Sequence, residues 1–99
     1  MTLDLNLSPN YSLSFEFLWF GLVAHSTVKT KYTPAVKRAY KRDLREVALT
    51  FRKPIYAFQA RDHDPKKRKF ILSLGFQFDH YRQSEDGEMV EFYRFRYLD

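Results

Sequence analysis

The sequence has no cysteine, one tryptophan, three glycines and four prolines among its 99 residues. Without cysteine there is no disulfide framework, no zinc site of the cysteine type and no thiol nucleophile. That absence fits a cytoplasmic protein. Glycine is so scarce that residues 25–33 contain none, which leaves that stretch without the usual means of wrapping backbone around a phosphate. Long apolar runs are also missing. The most apolar stretch, residues 15–24, is interrupted by Glu16 and is about half the length needed to span a bilayer. It reads as a buried strand, and no membrane contact is expected. Residues 1–9 carry an acid and no basic region, so no signal peptide is expected either. No Walker loop, Ser/His/Asp set or paired-carboxylate site can be read from spacing. His25, His63 and His80 lie far apart and lack ligand spacing, and Asp62-His63-Asp64 reads as a capped turn, so no metal is expected.

Aromatic residues and positive charge are plentiful. Ten Phe, seven Tyr and one Trp give a short chain large side chains with which to build a core, and any left outside would form a partner surface. The formal net charge is +5, which attracts nucleic acid, anionic cofactors or acidic protein surfaces without choosing among them. The length is that of one domain.

Residues 2–7 alternate, with Leu3, Leu5 and Leu7 on one side, as a half-buried strand does. Ser8-Pro9-Asn10 marks a turn. Residues 11–24 read as one long strand, alternating at first and then apolar on both faces, which places it centrally in a sheet. Residues 25–31 read as a polar connection. Thr33-Pro34 is an N-cap followed by proline at the first helical position, and a helix is expected over 33–52. Val36, Tyr40, Leu44, Val47 and Phe51 form its apolar stripe. Lys37, Arg38, Lys41, Arg42 and Arg45 lie on its other side, only partly offset by Asp43 and Glu46.

A strand–turn–helix–glycine unit follows over 54–76. Residues 55–60 read as a strand, Asp64 as an N-cap, Pro65 as the first helical residue and 66–74 as helix. Gly75 supplies the left-handed residue that ends it. The cluster Lys66, Lys67, Arg68 and Lys69 opposes the helix dipole in the first turn, a local cost that suggests use elsewhere. Residues 76–83 and 88–97 flank Ser84-Glu85-Asp86-Gly87 as a hairpin. Phe76, Phe78 and His80 are expected on one face. On the last strand Met89, Tyr93, Phe95 and Tyr97 are set against Val90, Phe92, Arg94 and Arg96. The fold class expected is α+β, an α/β mixed sheet of about five strands with two helices, ending in the hairpin.

The run Asp64-Pro65-Lys66-Lys67-Arg68-Lys69-Phe70-Ile71-Leu72-Ser73-Leu74-Gly75-Phe76 resembles the late helix of the GNAT acetyltransferases, and its flanking strands agree. The resemblance covers residues 15–97, the C-terminal half of a full GNAT domain, and is nearest to the small divergent GNAT-like proteins of tailed bacteriophages. It implies a single domain over 1–99, with strands in 1–24. It also implies that strands 53–60 and 76–83 run parallel or splayed. It further implies acetyl-CoA as cofactor, held at the start of the first helix, where Lys29, Lys31 and Thr33 are the candidate contacts. The glycines of the family's pyrophosphate loop are absent there. The family's acid tyrosine, four residues before the helix-ending glycine, falls on Ile71, which cannot donate a proton. Glu16 is a candidate base and Tyr40, Tyr56 or Tyr81 a replacement acid, with nothing to select one.

These losses make a binding protein the leading expectation. It would dock on an acidic host or virion protein through exposed aromatics and the basic helices, at Lys37, Arg38, Lys41, Arg42, Arg45, Lys66, Lys67, Arg68 and Lys69, with no cofactor. The alternatives are an acetyl-CoA-dependent N-acetyltransferase and a nucleic-acid-binding module using the basic face; Arg94 and Arg96 among aromatics resemble a stacking surface but read more simply as arginines snorkelling at a strand edge. An unpaired sheet edge offers a route to a homodimer.

Overall fold

The computed structural model describes residues 2–5, 9–60 and 65–96. It holds six strands and two helices, an α+β fold, divided into two compact units over Met1–Ile55 and Tyr56–Asp99. The expected Leu7 strand position, the Asp62-His63-Asp64 turn with its N-cap, and Tyr97 lie outside the described residues.

The first unit is an antiparallel meander with one long helix. Strands β1 (Thr2–Leu5), β2 (Tyr11–Leu18) and β3 (Gly21–Val28) pair in chain order. The single strand expected over 11–24 is two strands. Trp19 and Phe20 form the turn between them, and Gly21 takes φ 151° beside it. Leu18 faces Gly21 and Phe17 faces Leu22 across the hairpin. Hydropathy hides this turn because its two residues are aromatic, yet Trp19 is 87% exposed. The polar connection expected from residue 25 is instead the second half of β3, since Ser14, Leu13 and Ser12 pair with His25, Ser26 and Thr27. This split makes six strands where about five were expected.

Helix α1 (Pro34–Phe51) starts as its sequence dictates. Thr33 is extended, its hydroxyl accepts from the Val36 amide at 3.2 Å, and Pro34 opens the helix. It ends at Arg52, left-handed at φ 53°, whose amide donates to the Ala48 carbonyl at 2.9 Å. Val36, Tyr40, Leu44, Val47 and Ala48 are buried. Phe51, expected to share that stripe, lies half out and meets Phe17 edge-on at 5.2 Å. Tyr11, Leu13 and Phe15 supply the sheet side of this core, and Tyr11 stacks on Tyr40 at 4.5 Å. The Tyr11 hydroxyl donates to Asp43. Burial, then that bond, push the Tyr11 phenol well above its ordinary pKa.

The second unit carries β4 (Ile55–Ala60), α2 (Pro65–Ser73), β5 (Phe76–Gln83) and β6 (Met89–Phe95). The spatial order is β4-β6-β5, and β6 is antiparallel to both neighbours. β4 and β5 therefore run the same way, with the last strand between them. Gly75, at φ 97°, closes α2. Ile71 and Leu74 pack with Phe76, Tyr93 and Phe95 as the apolar core of this unit. A bulge between Phe78 and His80 shifts the register, so His80 pairs with Phe92 while Phe78 pairs with Tyr93. His80 therefore leaves the face shared by Phe76 and Phe78, contrary to strict alternation.

Candidate interaction surfaces

The first surface is one flank of α1. At 100° per residue, Lys37, Lys41, Arg45, Arg38 and Arg42 fall within an arc of about 140° beside the buried stripe. Four of these side chains are exposed and Lys37 is half-buried. Leu49 lies in the same arc and is 54% exposed. The two acids of the helix sit outside it. Asp43 is drawn toward the core side by Tyr11, and its contact with Arg42 is loose at 3.8 Å. The flank is thus a strip of five cations with one exposed leucine at its C-terminal end, and Asp43 and Glu46, interleaved with them in sequence, fall outside it.

The loop leading into α1 is where the GNAT resemblance places a pyrophosphate cradle. Such a cradle needs several backbone amides aimed at one point. Here the Lys29 and Thr30 amides donate to the Asn10 carbonyl at 2.7 and 3.3 Å. Pro34 has no amide hydrogen, and the Val36 amide is taken by Thr33 Oγ1. The Thr30 hydroxyl also bonds Asn10 Oδ1 at 3.1 Å. Two amides of the loop are thus taken by Asn10 and the Val36 amide by Thr33. Lys29 and Lys31 stand exposed beside it.

The candidate acid–base residues are scattered. Glu16 lies on the face of β2 away from α1 and approaches His25 at 3.5 Å, with both side chains about half exposed. The same strands border a hollow of about 300 Å³ lined by Asp4, Ser12, Leu13, Ser14, His25, Ser26 and Thr27. The cross-strand register sets Asp4, Ser14 and His25 in one row, a juxtaposition that chain spacing hides. Tyr40 is buried in the first core, where the Ser26 hydroxyl donates to it, and burial dominates in raising its pKa. In the second unit Tyr56 pairs with Arg94 and Tyr81 pairs with Glu91. Arg94 and Glu91 are three residues apart on one strand, so the two tyrosines occupy opposite faces. Ile71 is buried in the core. Among the described residues no cluster of three His, Asp or Glu side chains could hold a metal ion.

Arg68 separates from the other cations of α2. Lys66, Lys67 and Lys69 are exposed, whereas the Arg68 guanidinium reaches Glu91 Oε1 at 2.9 Å and Oε2 at 3.1 Å, with its Nε donating to the Tyr93 hydroxyl at 3.1 Å. Glu91 Oε1 also accepts from Gln59 at 3.0 Å and from Tyr93 at 2.9 Å. Gln59 and Glu91 are both buried. Burial alone would raise the Glu91 pKa, but bonds from Gln59, Arg68 and Tyr93 outweigh it and hold the carboxyl below its ordinary value. Arg68 is therefore the clasp between α2 and the strands. The exposed cations of this helix reduce to three lysines.

No family model matches the sequence, and no curated protein matches it. Among solved structures the chain is similar to one titled "Crystal structure of Anti-CRISPR protein AcrVA5". The TM-score is 0.62 at 15% identity, over 90% of this chain and 96% of that one. At that identity the likeness is one of fold. No helix is long and apolar enough to cross a membrane among the described residues.

Proposed function

We propose that this chain is a protein-binding module that docks on an acidic surface of a host or virion protein through the basic flank of α1. The observation that carries this reading is the strip of Lys37, Arg38, Lys41, Arg42 and Arg45, ending at exposed Leu49, with no acid inside the arc. Concentrated charge speeds association, and an exposed apolar residue beside it offers an anchor to desolvate. Lys66, Lys67 and Lys69 of α2 add to the positive field. The strand–helix–strand arrangement of β4, α2 and β5, with β6 between the strands, supports a GNAT-like ancestry. The loop before α1 supports loss of the coenzyme from that ancestry, as does the burial of Ile71. The fold likeness to a chain titled an anti-CRISPR protein supports a partner within a host CRISPR system, met in the host cytoplasm. β5 stands at the end of the strand order, and a second copy pairing there is the route we propose for any homodimer.

The test is affinity capture from bacterial lysate with the wild-type chain and with Lys37→Glu/Lys41→Glu/Arg45→Glu. Wild type recovers one protein in near-stoichiometric amount, with recovery falling as salt rises. The triple variant melts within a few degrees of wild type and loses that protein at least tenfold. Undiminished recovery by the variant would sink the reading.

A further inference from the structure

The cations of α1 repeat in a pattern that does not serve the helix itself. Lys37, Lys41 and Arg45 follow one another at intervals of four, and so do Arg38 and Arg42. Residues four apart are neighbours on a helix surface, so these intervals bring like charges together, and each such pair is destabilising. None of Lys37, Arg38, Lys41 and Arg45 has an acid three or four residues away to form the favourable pair instead. The first turn holds no acid to offset Lys37 and Arg38, and the macrodipole adds positive potential at that end. An anionic partner lying along the strip relieves all of these costs at once.

The geometry of the strip selects among anions. Four residues rise about 6 Å, so Lys37, Lys41, Arg45 and Leu49 form a ridge about 18 Å long, three cations and then a leucine. Leu49 is 54% exposed. The row beside it, Arg38, Arg42 and Glu46, ends on an exposed acid. Both rows therefore change character toward the C-terminal end of α1. A nucleic-acid strand carries phosphate along its whole length. It would meet Glu46 as a like charge and would offer Leu49 nothing apolar. A helix with acids at four-residue intervals has ridges of the same period, which seat in the groove between these two rows. Its stripe can also turn apolar where Leu49 lies.

We propose that the occupant of the α1 flank is an acidic amphipathic helix of the partner protein. Its carboxylates face Lys37, Arg38, Lys41, Arg42 and Arg45, and an apolar residue faces Leu49. This rests on the docking reading above and names the element that docks. The probes are two alanine-based peptides of one composition. In the first, five glutamates fill two adjacent rows at four-residue intervals and a leucine closes the longer row. In the second, the same residues are spread evenly round the helix. Each is titrated into the full chain by calorimetry at low salt, with circular dichroism following helicity. The striped peptide binds about fivefold or more tightly than the spread one and gains helix on binding. Leu49→Ala, an exposed change to a good helix former, leaves the melting temperature unchanged and lowers that affinity about threefold. A labelled oligothymidylate, the control polyanion, binds no more tightly than the striped peptide.

Equal binding of the two peptides, binding of neither, or a preference that Leu49→Ala leaves untouched would overturn the assignment. Oligothymidylate binding tighter than that of the striped peptide also counts against it and makes the flank a nucleic-acid surface. Lysate capture with the charge-reversed variant separates this failure from that of the docking reading. Capture lost by that variant, while the two peptides bind alike, keeps the acidic protein partner and removes the helix.

Discussion

Glu91→Leu is expected to lower the stability of the chain by roughly 2–4 kcal/mol, because it strands buried donors that have no water to turn to. Gln59 is 2% exposed and Tyr93 is 3% exposed, and both donate to Glu91 Oε1. Each donor left unmatched costs roughly 1–3 kcal/mol before relaxation. Arg68 loses its carboxylate at the same time, and with it the tie of α2 to β6. Glu91→Gln keeps an acceptor of the same shape and should cost distinctly less. The double variant Glu91→Leu/Gln59→Leu should recover part of the loss, since removing both partners avoids the orphaned amide.

The same network sets an acid limb. Glu91 is held below its ordinary value of 4.5 in the folded chain. Its contribution is therefore full above that pH and fades as pH falls through the lower folded value. Urea unfolding at pH 7 and again near pH 3 checks both points. The gap between wild type and Glu91→Leu should be wide in the first and narrow in the second.

Tyr40→Ala is expected to cost roughly 3–5 kcal/mol, the usual range for removing a buried ring. Tyr40 is 1% exposed and stacks on Tyr11 between the meander and the middle of α1. Collapse around the gap is limited, because Phe15, Leu22 and Leu44, the large residues of the same core, are already fully buried. Tyr40→Phe keeps the ring and gives up the bond from Ser26, a loss of about 1 kcal/mol. Denaturant midpoints for the two variants separate packing from hydrogen bonding. Tyr40→Ala should also blunt partner capture at the assay temperature, because the basic flank is presented only while α1 is seated.

Much of the frame was legible in the chain. Thr33-Pro34 at the start of α1 and Gly75 after α2 obey local rules that need no tertiary partner, so the structure places them where the sequence does. Two of the departures from expectation have a shared cause. Trp19-Phe20 is an apolar turn and Asp79 is an extra residue in a strand, and periodicity alone registers neither. The basic flank was legible from spacing, but the inward use of Arg68 was not, because its partners lie 23 and 25 residues away. A sign of it was present nonetheless. Glu91 falls in phase with Tyr93 and Phe95 on a strand whose other face is Val90, Phe92 and Arg94, and a carboxylate in the apolar phase asks for a buried cation.

We propose a GNAT-like frame that works as a docking module without its coenzyme. The most direct test is a thermal melt of the full chain with and without 1 mM acetyl-CoA, since a ligand that prefers the folded state raises the midpoint. The loop that ties Lys29 and Thr30 to Asn10 predicts no change in melting temperature. A rise of several degrees, removed by Lys29→Ala/Lys31→Ala, would contradict the account and return the chain to the acetyltransferases.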